Sequence, residues 1–226
     1  MTRFYRLTIF IMPFFILSGA MAEPLSGLKE KLITDYKNFY LEGENLLMLG
    51  TGIAGSGIMA NTSMDREVQR YYQDSLRDET TDHISDIIRP SGTWYITVPI
   101  LGFVSLLSDN ATPSQWSQHS LRAILVGAPA GLFLQRATGA GRPEEGDSRW
   151  HPFRDSNGLS GHAFIGSVPF ITAAMMTENR GLRFLYYSLS VLPGLSRLND
   201  NKHYLSQVAL GWYLGYLSAR AVNKGE

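Results

Sequence analysis

Two histidines and two arginines stand where the sequence predicts that helices begin or end. His162 directly precedes an apolar segment, His203 follows Arg197 by six residues, and Arg142 lies in a loop rich in glycine and proline. One imidazole can attack phosphorus while a second protonates the leaving oxygen, and forked guanidinium groups suit phosphate oxygens. These residue types therefore favour phosphoryl transfer.

The segment Ser160-Gly161-His162 has the properties of an anion-binding helix entrance. A serine can cap the helix, a glycine lets the backbone approach a ligand closely, and the free N–H groups attract negative charge. Each short pattern is by itself typical of ordinary caps and turns. Their order and spacing together carry the functional interpretation.

Apolar segments are the elements that must position these groups. Six of them cover approximately residues 46–61, 93–108, 121–135, 162–177, 183–196 and 204–220. A polar stretch after the first segment has Ile84, Ile87 and Ile88 at the spacing of a helix face, and no strand-like alternation occurs. We predict an all-α bundle of about six core helices. Antiparallel connections would bring the active site together at one end, beside a long loop at 136–161.

Three sequence blocks occur in a fixed order: Arg142-Pro143, Ser160-Gly161-His162, and Ser196-Arg197 with five residues before His203. This arrangement resembles the signature of the type 2 phosphatidic acid phosphatase superfamily, which also contains bacterial acid phosphatases and vanadium haloperoxidases. The resemblance covers roughly residues 90–222.

The resemblance implies a role for each matching residue. His203 would be the nucleophile that forms a phosphohistidine, and His162 would be the general acid. The phosphoryl group would be bound by Arg142, Arg197, Ser160 and Gly161.

The chain departs from the family pattern at two places around the phosphate site. Gln135 stands where the family has a lysine seven residues before the arginine, and Leu159 replaces a proline. We expect Leu159 to matter least. Arg136, next to Gln135, is the candidate for the missing cation.

Gln207 is the most consequential departure, because the family has an aspartate four residues after the nucleophilic histidine. A carboxylate there accepts the Nδ1 proton, fixes the tautomer and stabilises the cation that forms. A glutamine can still accept the proton through its carbonyl oxygen, so orientation can survive without the charge. Asp200 is near in sequence but is expected on the wrong side. We therefore predict a slower phosphatase, or one whose supporting carboxylate comes from elsewhere in the chain.

The N-terminus predicts export. Two arginines, an apolar run and Ala20-Met21-Ala22 make residues 1–22 a secretory signal peptide, with an uncleaved anchor helix as the alternative. We expect a periplasmic protein, soluble or peripherally bound to a membrane surface; a multi-pass inner-membrane protein is the alternative. The mature chain would form one domain, from a helical region at 23–92 and a phosphatase-like core at 93–226.

Composition limits the partners and the chemistry. The formal net charge is zero, which does not favour nucleic acid, and the absence of cysteine excludes a thiol nucleophile. We predict a phosphatase without metal or cofactor that hydrolyses phosphomonoesters or pyrophosphates of small molecules or lipids. Two alternatives remain: a vanadate-dependent haloperoxidase, and a non-catalytic protein that binds phosphate or a lipid headgroup.

Overall fold

The computed structural model describes residues 22–224, and this part of the chain contains helices and no strand. The predicted all-α class is confirmed. The predicted signal peptide lies, apart from Ala22, outside the described residues. The α-helices are α1 Ala22–Tyr40, α2 Gly43–Asn61, α3 Met64–Tyr71, α4 Glu79–Ile88, α5 Trp94–Leu107, α6 Ala111–Thr138, α7 Gly161–Met176, α8 Arg180–Ser190, α9 Leu192–Asn199 and α10 Leu205–Asn223.

Helix α10 lies at the centre of the bundle and packs against α7, α6 and α2. Its residues Leu210, Leu214 and Leu217 are spaced at three and four positions, so they share one face, and all three are buried. They meet Val126 of α6 and Ile171 of α7 in the hydrophobic core. The core therefore holds the ends of α6, α7 and α10 in fixed relative positions.

The fifth apolar segment, 183–196, is two helices rather than one. Helix α8 ends at Ser190 and α9 begins at Leu192, with Pro193 in the first turn of α9. Proline has no N–H to donate to the preceding turn, and its ring clashes there, so it is favoured in the first turn of a new helix. The break directs α9 and its Arg197 toward the end of α7.

A buried ion pair fixes α1 to α6. Arg122 donates to both carboxylate oxygens of Asp35, from Nε at 2.7 Å and from Nη2 at 2.8 Å, and both side chains are buried. Removing one partner of such a pair leaves a buried charge without compensation. The pair therefore fixes the position of α1 on the bundle.

In the described part of the chain, no single helix combines the length and apolarity needed to cross a membrane. The segments Glu79–Gly92 and Trp94–Leu107 together meet the length and composition of a span, but they are bent by 61° where they join. Many large apolar side chains are nevertheless exposed, among them Trp94, Tyr95, Phe103, Leu106, Leu107, Leu132, Phe133, Phe153 and Phe184.

Candidate active site

Three connections meet at one end of the bundle: those after α6, before α7 and between α9 and α10. Ser160 N–H donates to the carbonyl oxygen of Gln207 at 2.9 Å, and the Gln207 amide donates to the carbonyl oxygen of Gly141 at 2.7 Å. At Gly211, one turn further along α10, an added Cβ would lie 2.4 Å from the carbonyl oxygen of Ser160. The structure thus brings the three sequence blocks together.

Gln207 holds His203 through a short hydrogen bond. The distance from His203 Nδ1 to Gln207 Oε1 is 2.7 Å, and both residues are buried. The same oxygen accepts the backbone N–H of Tyr204 at 3.1 Å, while Nε2 of the amide donates to Gly141. Because both backbone groups require this orientation of the amide, its oxygen faces the imidazole and Nδ1 must carry the proton. His203 Nε2 is then left with a free lone pair.

His203 is uncharged at neutral pH. Burial lowers its pKa to about 4; the hydrogen bond to Gln207 opposes this shift, and the nearby charges of Arg197 and Arg142 add to it. An imidazole that is neutral and carries its proton on Nδ1 is the form that can act as a nucleophile through Nε2.

His203 lies before α10, and not in its first turn as the sequence suggested. The helix begins at Leu205, and the preceding turn closes where the N–H of Lys202 donates to the carbonyl oxygen of Arg197 at 2.9 Å. Asn201 adopts a left-handed conformation in this turn, with φ of 54°. Gln207 still reaches back, because a side chain at the third helical position can accept the N–H of the residue before the helix.

His162 occupies the first turn of α7, whose first residue is Gly161. Ser160 Oγ accepts the N–H of Ala163 at 3.3 Å, so the serine caps the helix as predicted. The distance from His162 Nε2 to Thr93 Oγ1 is 3.4 Å. Burial, together with the positive charges of Arg197 and Arg89, lowers the pKa of His162 to about 4.

Arg197 has the environment of an anion ligand. Its Nη1 donates to Asp200 Oδ2 at 2.8 Å, whereas its Nε is buried and has no hydrogen-bond partner in the described part of the chain. Buried donors are nearly always paired, so this unpaired Nε is a candidate donor to a bound anion. Asp200 faces Arg197 and not His203, as expected. Arg142 is exposed, and its Nε donates to Asn157 Oδ1 at 3.1 Å.

Gln135 lies at the site, whereas Arg136 does not supply the missing cation as predicted. Gln135 Nε2 donates to the carbonyl oxygen of Leu159 at 3.1 Å and would lie 3.6 Å from a Cβ added to Gly161. The next residue of a helix points about 100° away. Arg136 is accordingly exposed, and its charge is not among those that lower the pKa of His162 or of His203.

The polar stretch before α5 makes hydrogen bonds to the turn that carries His203. Nothing in the sequence indicated these contacts. Gln69 Nε2 donates to Asn201 Oδ1 at 2.6 Å, and Gln73 Nε2 donates to the carbonyl oxygen of Leu198 at 2.9 Å. These donors lie more than 120 residues from their acceptors in the chain. No local pattern links such positions.

Arg89 and Thr93 are further residues at the site that the sequence reading missed. Thr93 directly follows Gly92, and Arg89 precedes it by three residues. A Cβ added to Gly92 would lie 2.8 Å from the carbonyl oxygen of His162. The glycine was the available signal, because this backbone contact requires a residue without a side chain.

A helical bundle that gathers two histidines and several arginines at the start of a helix has the residues needed to bind a phosphoryl group and to transfer it. A family profile described as the PAP2 superfamily matches residues 94–225, which is more than half of the chain. The chain therefore belongs to the PAP2 superfamily, and the resemblance seen in the sequence is confirmed. Searches of curated proteins and of solved structures gave no match.

Proposed function

We propose that the protein hydrolyses phosphomonoesters or pyrophosphates through a phosphohistidine on His203, without a metal. The observation that carries this proposal is the contact between His203 Nδ1 and Gln207 Oε1 at 2.7 Å, in an amide orientation fixed by Tyr204 and Gly141. It leaves the lone pair of Nε2 available to attack phosphorus. Membership of the PAP2 superfamily supports phosphatase activity in general.

The reaction proceeds in two displacements. The substrate phosphoryl group binds to Arg142 and Arg197 and to the N–H groups at the start of α7. His203 Nε2 forms a bond to phosphorus, the bond from phosphorus to the ester oxygen breaks, and His162 gives that oxygen a proton. Water then attacks the phosphohistidine while His162 takes a proton from it, and orthophosphate leaves as the bond to Nε2 breaks.

His162 must be protonated when the first displacement begins. In the ligand-free protein its pKa is about 4, because burial and the charges of Arg197 and Arg89 disfavour the imidazolium. A bound phosphoryl dianion places negative charge beside the ring and raises this pKa. The general acid therefore acquires its proton as the substrate binds.

The test compares the mature chain with His203→Ala on a panel of phosphomonoesters and pyrophosphates. We expect the substitution to abolish hydrolysis and to remove an acid-labile, base-stable phosphate from the protein. His151→Ala is the matched control, because His151 pairs with Asp147 in the long loop and should leave both signals unchanged. Equal hydrolysis by the His203 variant and the wild type would overturn the proposal.

We further propose that the protein is exported to the periplasm and acts on lipid phosphates at a membrane surface. Support comes from exposed apolar side chains on segments adjoining the site: Trp94 follows Thr93, Phe133 precedes Gln135 by two residues, and Phe153 is 74 % exposed in the long loop. Exposed apolar groups near one end favour membrane contact.

Membrane contact is tested by flotation with anionic phospholipid vesicles. Trp94→Ser combined with Phe153→Ser should reduce binding, whereas Phe184→Ser, at an equally exposed position on α8, should not. Cell fractionation tests export. Recovery of the protein in the cytoplasm, or vesicle binding unaffected by the paired substitutions, would contradict this proposal.

A further inference from the structure

The segment Arg89–Gly92 lines the site, although it does not belong to any of the three sequence blocks. It is a short 3-10 turn between α4 and α5. Gly92 packs directly on the backbone of His162, and Thr93 Oγ1 lies 3.4 Å from His162 Nε2. The side chain that begins this turn, Arg89, is therefore positioned near the general acid.

Arg89 and Arg197 converge on one carboxylate oxygen. Arg197 Nη1 lies 2.8 Å from Asp200 Oδ2, and Arg89 Nη1 lies 3.4 Å from the same atom. Two guanidinium groups from distant parts of the chain are thus held side by side, although like charges repel. Asp200 also accepts from Ser85 Oγ at 2.7 Å, so the carboxylate is itself held in place.

The charge of Arg89 reaches the interior of the site. It lowers the pKa of His162 and, together with Arg142, that of Arg197. Arg89 is 44 % exposed, so its side chain lies at the edge of the site, where a ligand can reach it. Its other anchor is Asp86, at 2.9 Å from Nη2, but that carboxylate is 64 % exposed and is therefore largely screened by water.

The local charge balance shows what Arg89 adds. In the ligand-free site, where His162 is neutral, Arg142 and Arg197 against Asp200 leave one net positive charge, whereas a phosphate monoester carries nearly two negative charges at neutral pH. The guanidinium group of Arg89 raises the net charge of the site to two positive charges. The buried, unpaired Nε of Arg197 offers a further donor for such an anion.

We propose that Arg89 binds the substrate phosphoryl group and supplies the positive charge that Gln135 cannot provide. This inference rests on the proposed function. In the ligand-free protein Asp200 holds Arg89 beside Arg197. When a phosphoryl dianion enters, its oxygens replace Asp200 at Arg89 Nη1, because the 3.4 Å contact is the longer of the two and is the one more readily exchanged.

The experiment measures KM for a phosphomonoester and the inhibition constant of orthophosphate. We expect Arg89→Ala to raise both about tenfold or more, since a lost charged hydrogen bond weakens binding by this order. Arg89→Lys should recover part of the loss. Arg183→Ala is the control, because Arg183 is exposed on α8, donates to the carbonyl oxygen of Thr177 at the far end of α7 and should leave both constants unchanged.

A second substitution separates a binding role from a structural one. Gln135→Lys places a cation beside Gly161, so it should restore severalfold tighter orthophosphate binding to the Arg89→Ala protein if Arg89 acts through its charge. A purely structural loss would not be rescued in this way. If Arg89→Ala lowers the Tm, Arg89→Gln gives the same measurement with a donor to Asp200 retained.

The outcomes distinguish this inference from the proposed function. A wild-type enzyme that hydrolyses esters while Arg89→Ala and Arg89→Gln keep both constants within twofold would overturn the inference alone. A folded wild-type protein that neither hydrolyses esters nor binds orthophosphate by calorimetry would overturn both.

Discussion

Gln207→Glu tests whether positive charge develops on His203 during turnover. The substitution preserves side-chain length, so a carboxylate oxygen can occupy the position of Oε1 at 2.7 Å from Nδ1. A full charge pair about 4 Å apart is worth about 4 kcal/mol near a protein surface. If half of the ring charge has developed in the transition state, the barrier falls by about 2 kcal/mol, which is roughly 30-fold in kcat.

The same substitution has a cost in stability. Gly141 loses the donor at 2.7 Å from its carbonyl oxygen and faces a second acceptor instead. An unpaired buried group costs about 1–3 kcal/mol. This cost is the same in the resting enzyme and in the transition state, so it lowers the free energy of unfolding and not kcat.

The assay is the pH dependence of kcat and of kcat/KM. His203 must be neutral to attack, so the wild-type acid limb of kcat/KM should fall near the pKa of about 4. The new carboxylate favours the imidazolium and should move this limb to higher pH. Gln207→Asp should gain less, because its side chain is shorter by one carbon–carbon bond of about 1.5 Å.

Gln135→Glu is the matched control, since it introduces the same charge at the site but not beside His203. It should lower kcat/KM by repelling the substrate. If Gln207→Glu left kcat and the acid limb where they are in the wild type, no positive charge would develop on His203, and its role as nucleophile would be refuted.

Three other outcomes are expected. Because the pKa of His203 is about 4 when folded and about 6.5 when unfolded, the unfolded state binds more protons between these values, so the contribution of His203 to stability should fall by about 3 kcal/mol from pH 6.5 to pH 4; urea unfolding should show a flatter profile for His203→Asn. Asp35→Ala should lower the free energy of unfolding by about 3–5 kcal/mol, because Arg122 loses the carboxylate that compensates its buried charge. Gly211→Ala should reduce kcat at least tenfold without unfolding the chain, since its Cβ would press on the carbonyl oxygen of Ser160; circular dichroism checks the fold.

The helices, and the end of the bundle at which the site lies, were predictable because apolar periodicity is a local property of the sequence. The Ser160 cap and the meeting of the three blocks follow from segment order and antiparallel packing. The break near Pro193 was missed because the run of apolar residues continues through it, and α10 begins one residue later than the predicted segment and ends three residues later. Helix ends depend on caps and turns, which composition describes poorly.

The support of His203 illustrates what sequence can and cannot predict. Spacing alone placed Gln207 within reach of the imidazole. Which amide atom faces the ring depends on the N–H of Tyr204 and on Gly141, which lies 66 residues away. The expected role of Arg136 failed for a similar reason, because helix geometry allows only one of two adjacent residues to face the site.

The region before residue 94 completes a site whose chemistry lies in the matched family segment. The family match begins at residue 94, yet Arg89 joins Arg197 at Asp200 from outside it. Gln69 and Gln73 hold the turn before His203 from the same region. In the proposed mechanism the matched segment supplies both the nucleophile and the general acid. The preceding helices hold the turn before His203 and, through Arg89, add positive charge to the site.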